Sequence, residues 1–325
     1  MWNLRWNIYS KIMFRSFVGQ YERSEARHFN PLSPYIKNSN TANKVKGFTL
    51  IEFVLVIIIL GIMSVGIAGF ITLSTQTYLN VTERDELLAN ARFVVERLNR
   101  EIRNAVPNSI RIKNDITSQC VEFVPIIAST IYTNIPVMPE TDSNILSVIP
   151  FQGKNTNNDY QCPEISSEPC LDAVTVYPLF SSDIYDQSDT TGKVFGLKTV
   201  TQTVSNEWTL TLDEVTGVLF DDDSPTERLY IIRTPVSYCV KNNTIIRHAG
   251  YSYSVNQSLN PTTSASNEPP VLMANNIATL DRSNLPFVIQ PATLQRNAMI
   301  QIKLNFMRGD ENIVFNNETH IVNVP

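Results

Sequence analysis

Lys46-Gly47-Phe48-Thr49-Leu50-Ile51-Glu52 runs without a break into Phe53-Val54-Leu55-Val56-Ile57-Ile58-Ile59-Leu60-Gly61-Ile62-Met63. A single carboxylate stands in an otherwise apolar stretch. A lone charge in hydrocarbon is costly unless paired, so Glu52 is a candidate functional residue. From Phe48 to Ile71 the chain reads as a helix about 36 Å long at roughly 1.5 Å per residue, enough for a hydrocarbon core of roughly 30 Å with some tilt. A secretory signal peptide has an apolar core of roughly 7–15 residues and a small-residue cleavage site. Here the run is longer, and no A-x-A site precedes the polar helix that follows. A plain signal anchor accounts for the span, but not for Gly47, Phe48 and Glu52 together.

The heptapeptide 46–52 and its apolar continuation resemble the signal of type IV pilins and type II secretion pseudopilins. The resemblance implies that a prepilin peptidase cuts between Gly47 and Phe48 and methylates the new N-terminal Phe48. It also implies an assembly role for Glu52, paired with the Phe48 amine of a neighbouring subunit. Residues 1–47 would be the cleaved leader, 48–71 the membrane half of the pilin helix, 72–106 its amphipathic half, and 107–325 an exported β-rich head. Leaders in this family are short and basic, whereas this one is long and carries Trp2, Trp6, Pro31 and Pro34. Either translation starts nearer Asn40 or the leader is genuinely long.

Charge sets the expected orientation. Residues 1–47 hold eight Lys or Arg against two Glu, a net of +6, and residues 107–325 hold 13 basic against 23 acidic residues, a net of -10. Positive residues flanking the first span stay in the cytoplasm. Lys44 and Lys46 are therefore expected inside, in an inner-membrane protein crossing once with a periplasmic head. Roughly 250 residues follow the span, enough for one large domain or two small ones. The acidic balance argues against nucleic acid as a partner.

Cys120, Cys162, Cys170 and Cys239 all lie in the exported part. An even count in an oxidising compartment suggests two disulfides, with three possible connectivities. The stretch Cys162-Pro-Glu-Ile-Ser-Ser-Glu-Pro-Cys170 lacks C-x-x-C spacing and reads as a loop that a local bridge closes. That pairing would leave Cys120 with Cys239, both in strand-like surroundings.

Beyond the span, Leu87, Leu88, Ala91, Val94, Val95, Leu98, Ile102 and Ala105 recur at three- and four-residue steps. This is an amphipathic helix with one apolar stripe. Glu96 and Arg100 form an i,i+4 pair in the favoured order. Pro107 stops the helix, having no N–H and a ring that clashes with the preceding turn. One helix is expected from Phe48 to Ala105. Gly61, Gly66 and Gly69 weaken its first half, either for filament packing or as ordinary membrane-helix glycines.

After Pro107 the period changes to 2. Strands are expected at 109–113, 120–124, 173–177, 208–212, 229–240, 244–247, 251–255, 299–307 and 320–324, with surface loops at 152–169, 181–194 and 256–270. The expected class is α+β: a long N-terminal helix packed on an antiparallel sheet.

No catalytic constellation stands out, and no cofactor or metal is assigned. His28, His248 and His320 are isolated, and no G-x-S-x-G, H-E-x-x-H or phosphate-binding loop occurs. Asp221-Asp222-Asp223 lacks the spaced ligands of a calcium loop and reads as an acidic turn. The helix text Ala91-Arg92-Phe93-Val94-Val95-Glu96-Arg97-Leu98-Asn99-Arg100-Glu101-Ile102-Arg103 and the closing Asn323-Val324-Pro325 resemble minor pilins of the mannose-sensitive haemagglutinin (MSHA) pilus system. That resemblance implies other minor and major pilins as partners, and a place in pilus assembly or at the tip. The alternatives are a J-type minor pseudopilin of type II secretion and a tip adhesin.

Overall fold

The computed structural model describes residues 47–151, 160, 162, 170–187, 190–202, 206–214, 216–262, 268–281, 285–291, 298–309 and 311–321. Residues 1–46 of the expected leader 1–47, most of the expected loop 152–169 and residues 322–324 of the expected strand 320–324 lie outside them. The chain divides into two compact units, Met1–Ile67 and Ala68–Pro325.

One helix, Leu50–Arg103, crosses the unit boundary. It starts at Leu50, not Phe48, and ends before Ala105, whose backbone makes a bridge with Pro125. No proline interrupts it. Every residue from 47 to 86 is exposed. The buried face begins at Leu87 and continues through Ala91, Val94, Val95, Leu98 and Ile102. These steps of three and four follow the 3.6-residue period of an amphipathic helix.

In the second unit this face joins a core with Val121, Phe123, Tyr238 and Val240 of one sheet and Ile300, Ile302, Leu304 and Phe306 of another. The first is a five-stranded sheet in the order Arg111–Asn114, Ser118–Phe123, Val236–Lys241, Thr244–Ala249, Val271–Ala274. The second has three strands, Phe287–Gln290, Met299–Arg308 and Glu311–His320. Both sheets are antiparallel. The turn after Lys241 is made by Asn242 and Asn243 at φ 50° and 61°. Two successive positive-φ residues give the twist that a tight hairpin needs, and Asn tolerates it.

Between Ser118–Phe123 and Val236–Lys241 the chain leaves the sheet and builds a closed antiparallel barrel. Its strand order is Arg228–Ile232, Ile126–Asn134, Ile145–Val148, Trp208–Leu212, Val194–Thr201, Ala173–Val176, and the last pairs with the first. Leu146, Val148, Val174, Val176, Leu197, Leu210, Leu212, Leu229 and Ile231 fill it. Side chains alone fill so small a barrel. A third cluster, with Val106, Val124, Ile184, Tyr185 and Ile232, lies where the barrel meets the helix end. A two-stranded parallel pair, Thr191–Gly192 with Leu219–Phe220, completes the described strands.

The α+β class with a long N-terminal helix and antiparallel sheets is therefore the observed one. Several local expectations are corrected. The run 229–240 is two strands, Arg228–Ile232 and Val236–Lys241, with Pro235 in the break. Proline cannot donate to a ladder, and here it marks a change of sheet. Residues 251–255 form no strand. Their tyrosines are polar anchors instead: Tyr251 donates to Glu122 at 2.8 Å and Tyr253 to the Arg233 carbonyl at 2.9 Å. The expected loop 181–194 contains a helical turn, Ser182–Tyr185, and the short strand Thr191–Gly192. The helix ion pair is Arg97–Glu101 at 3.0 Å, not Glu96–Arg100, because Arg247 of the sheet also holds Glu101 at 3.0 Å.

Candidate functional site

Gly47, Phe48 and Glu52 bracket the start of the helix. Gly47, Phe48 and Thr49 are non-helical, and the helix begins at Leu50. Thr49 caps it. Its hydroxyl oxygen accepts from the Glu52 backbone N–H at 3.3 Å, and its carbonyl accepts from the N–H groups of Glu52 and Phe53 at 3.1 and 3.2 Å. Thr49-Leu50-Ile51-Glu52 has the spacing of a capping box, with Glu52 in its third helical position. The carboxylate therefore sits in the first turn, where the helix dipole favours negative charge.

This cap was legible as a T-x-x-E spacing but was not part of the sequence reading. It has a chemical consequence. The bond between Gly47 and Phe48 lies outside the helix, in backbone with no helical hydrogen bond to break. A Cβ at Gly47 would meet nothing within 4 Å, so nothing among the described residues demands glycine there. Phe48 is 85% exposed, as open as any large apolar side chain among the described residues.

Glu52 is the only charged residue from 47 to 82. Its carboxylate has no partner among the described residues. Five hydroxyls of the helix are satisfied internally. Ser64, Thr72, Thr75, Thr77 and Thr82 each donate to the carbonyl four residues earlier, at 2.7 to 3.0 Å. Such bonds let hydroxyls stand on a helix in a low-dielectric medium. The helix contains a segment long and apolar enough to cross a membrane, and none of that segment is buried. No Cβ at Gly61, Gly66 or Gly69 would meet another atom within 4 Å.

In the second unit, Cys120 is bridged to Cys239 and Cys162 to Cys170. The first bridge joins directly opposed residues of adjacent strands. Cys162 and Cys170 lie close to Asp172, a grouping of metal-ligand type. Its donors are otherwise engaged: both sulfurs are in the bridge, and Asp172 accepts from Arg233 at 2.6 and 3.0 Å and from the Tyr160 hydroxyl at 2.6 Å.

Asp221, Asp222 and Asp223 do not converge on one point. Asp222 pairs with Lys193 at 2.8 Å, and Asp223 accepts from the Tyr132 hydroxyl. A second buried carboxylate, Glu122, pairs with Arg111 and accepts from Tyr251. Burial, with Glu122 beside it, pushes the Tyr251 hydroxyl far above its ordinary range.

Residues 42–68 match the family model of the prokaryotic N-terminal methylation motif. The match supports the type IV pilin and pseudopilin superfamily, and with the apolar helix it fits a membrane-anchored single-pass protein. No curated protein and no solved structure matches the chain.

Proposed function

We propose that this chain is a minor pilin of an MSHA-like type IV pilus, similar to MshO, that takes part in assembly or tip formation. In this reading a prepilin peptidase removes residues 1–47 and methylates Phe48. The head is exported, and the protein waits in the inner membrane with its N-terminus cytoplasmic. The observation that carries the reading is Glu52: a carboxylate with no partner among the described residues, in the first turn of an exposed apolar helix, shortly after an open Gly47–Phe48 bond.

The physical argument is short. Cleavage at Gly47 would create a cationic amine at Phe48. A lone carboxylate in hydrocarbon is costly, while a paired one is tolerated. A neighbouring subunit brings such an amine at the same depth, so the pair favours the assembled state over the monomer. A head with a barrel inserted into its sheet is bulky, which favours a terminal position over a repeating shaft. The partners are the peptidase and other minor and major pilins.

Co-purification of the mature protein with co-expressed minor pilins tests this reading. A stable complex that depends on Glu52 supports it. Association with secretion pseudopilins and not with pilins would move the protein to the type II secretion machine.

A further inference from the structure

Four arginines line one cleft in a head with a strongly negative balance. The cleft encloses about 640 Å³ where the helix end, the five-stranded sheet and the barrel meet. Arg233 is committed to Asp172, and Arg247 to Glu101. Arg100 and Arg103, in the last helical turn, are exposed and have no partner among the described residues. Cations there complement the helix dipole. That role does not explain why both line a concave surface facing two further guanidiniums.

The rest of the lining narrows the ligand. Glu101 and Glu268 also face the cleft; with Arg233 held by Asp172 and Arg247 by Glu101, the uncommitted charges among the described lining are Arg100, Arg103 and Glu268, a net of +1. Two free guanidiniums suit a pair of carboxylates, and the negative balance of the rest of the head, not the cleft itself, disfavours a dense polyanion such as nucleic acid or a sulfated glycan. Pro125, Ile126, Ile127, Val236 and Ala249 supply an aliphatic floor, and among the described residues no aromatic ring lines it for a sugar to stack on. Forked guanidinium donors recognise carboxylates with two parallel hydrogen bonds. Ligand sites also concentrate where two lobes meet.

We infer that this cleft binds an acidic peptide segment of a partner protein. Two carboxylates of the segment engage Arg100 and Arg103, and its aliphatic side chains lie on Ile126 and Val236. Walls from both barrel and sheet make the bound segment a brace between them. The inference does not depend on processing at Gly47.

The test uses the full chain in detergent micelles and a fluorescein-labelled peptide of alternating Glu and Leu, followed by fluorescence anisotropy. The expected result is saturable binding that weakens with added salt. The double variant Arg100→Glu/Arg103→Glu should lose about tenfold or more in affinity. Arg92→Glu, on an exposed helix position away from the cleft, should change it little. A cooperative urea transition close to that of the unaltered chain confirms that each variant is folded. Equal loss in Arg92→Glu, equal binding of a Lys and Leu peptide, or no binding at all would overturn the inference. So would heparin binding more tightly than the acidic peptide at the same residues.

Discussion

Cys120 and Cys239 face each other across adjacent antiparallel strands and are bridged, although they are 119 residues apart in sequence. The whole barrel lies between them. The bridge is the neck through which the barrel is inserted into the sheet, and it closes the longest covalent loop in the protein. Long loops lose the most unfolded-state entropy on cross-linking, about 3–5 kcal/mol in the chain-entropy model. The double variant Cys120→Ser/Cys239→Ser should lose a comparable amount of stability in urea unfolding. Cys162→Ser/Cys170→Ser, closing a separation of 8 residues, should lose less. The reverse ranking would contradict the neck role.

Arg233 stands beside that neck and holds the Asp172 carboxylate, which is completely buried in side-chain terms while Arg233 is 38% exposed. Removing the cation leaves a buried charge whose one remaining side-chain partner is the Tyr160 hydroxyl. Arg233→Ala should cost about 3 kcal/mol, at the low end for a buried pair because Arg233 is partly solvated. Asp172→Asn in the Arg233→Ala background should recover part of that loss. Chemical denaturation of the two variants measures it, and an additive second loss would show that the carboxylate does not depend on Arg233.

Some of this architecture was legible in the sequence, and the reasons divide by range. The stripe Leu87, Ala91, Val94, Leu98 and Ile102 depends only on local period, and it is the buried face. Trp208–Leu212 and Met299–Arg308 alternate within one run, so they read correctly as strands. The barrel was not foreseen because closure depends on distant pairings, such as Arg228 with Ile131 and Ile145 with Thr211. Ala173–Val176 was expected as a strand, but Ile145–Val148, with four residues, is too short for a period to show. Residues 251–255 alternate like a strand, yet Tyr251 and Tyr253 use their hydroxyls to tie this segment to Glu122 of the sheet and to the Arg233 carbonyl. The Thr49 cap was written in the T-x-x-E spacing and needed only to be read there.

His248 offers a test by pH. It is buried in the strand Thr244–Ala249, and its Nδ1 has no hydrogen-bond partner. Burial lowers its pKa below the ordinary 6.5, opposed by a hydrogen bond to the Pro261 backbone. The unfolded chain therefore takes up the proton more readily than the folded one. Its contribution is fully present above about pH 6.5 and is lost as pH falls from there towards the depressed folded value. Stability should drop between neutral pH and pH 5, and His248→Gln should flatten that slope. An unchanged slope would assign the acid sensitivity to other groups.

Glu52 separates processing from assembly. If its carboxylate pairs with the Phe48 amine of a neighbour, Glu52→Val should still be cleaved but should fail to join partner pilins. Glu52→Asp keeps the charge with a shorter reach and should retain part of the incorporation. In-membrane cross-linking followed by co-purification measures both. Normal incorporation of a correctly processed Glu52→Val protein would refute the pairing.

Mass spectrometry of the N-terminal peptide tests the central proposal most directly. Protein recovered from membranes of cells that express a prepilin peptidase should begin at Phe48 and carry one added methyl group on its amine. The same chain from cells lacking the peptidase should retain residues 1–47. A mature chain beginning at any residue other than Phe48, or one identical with and without the peptidase, would contradict the account.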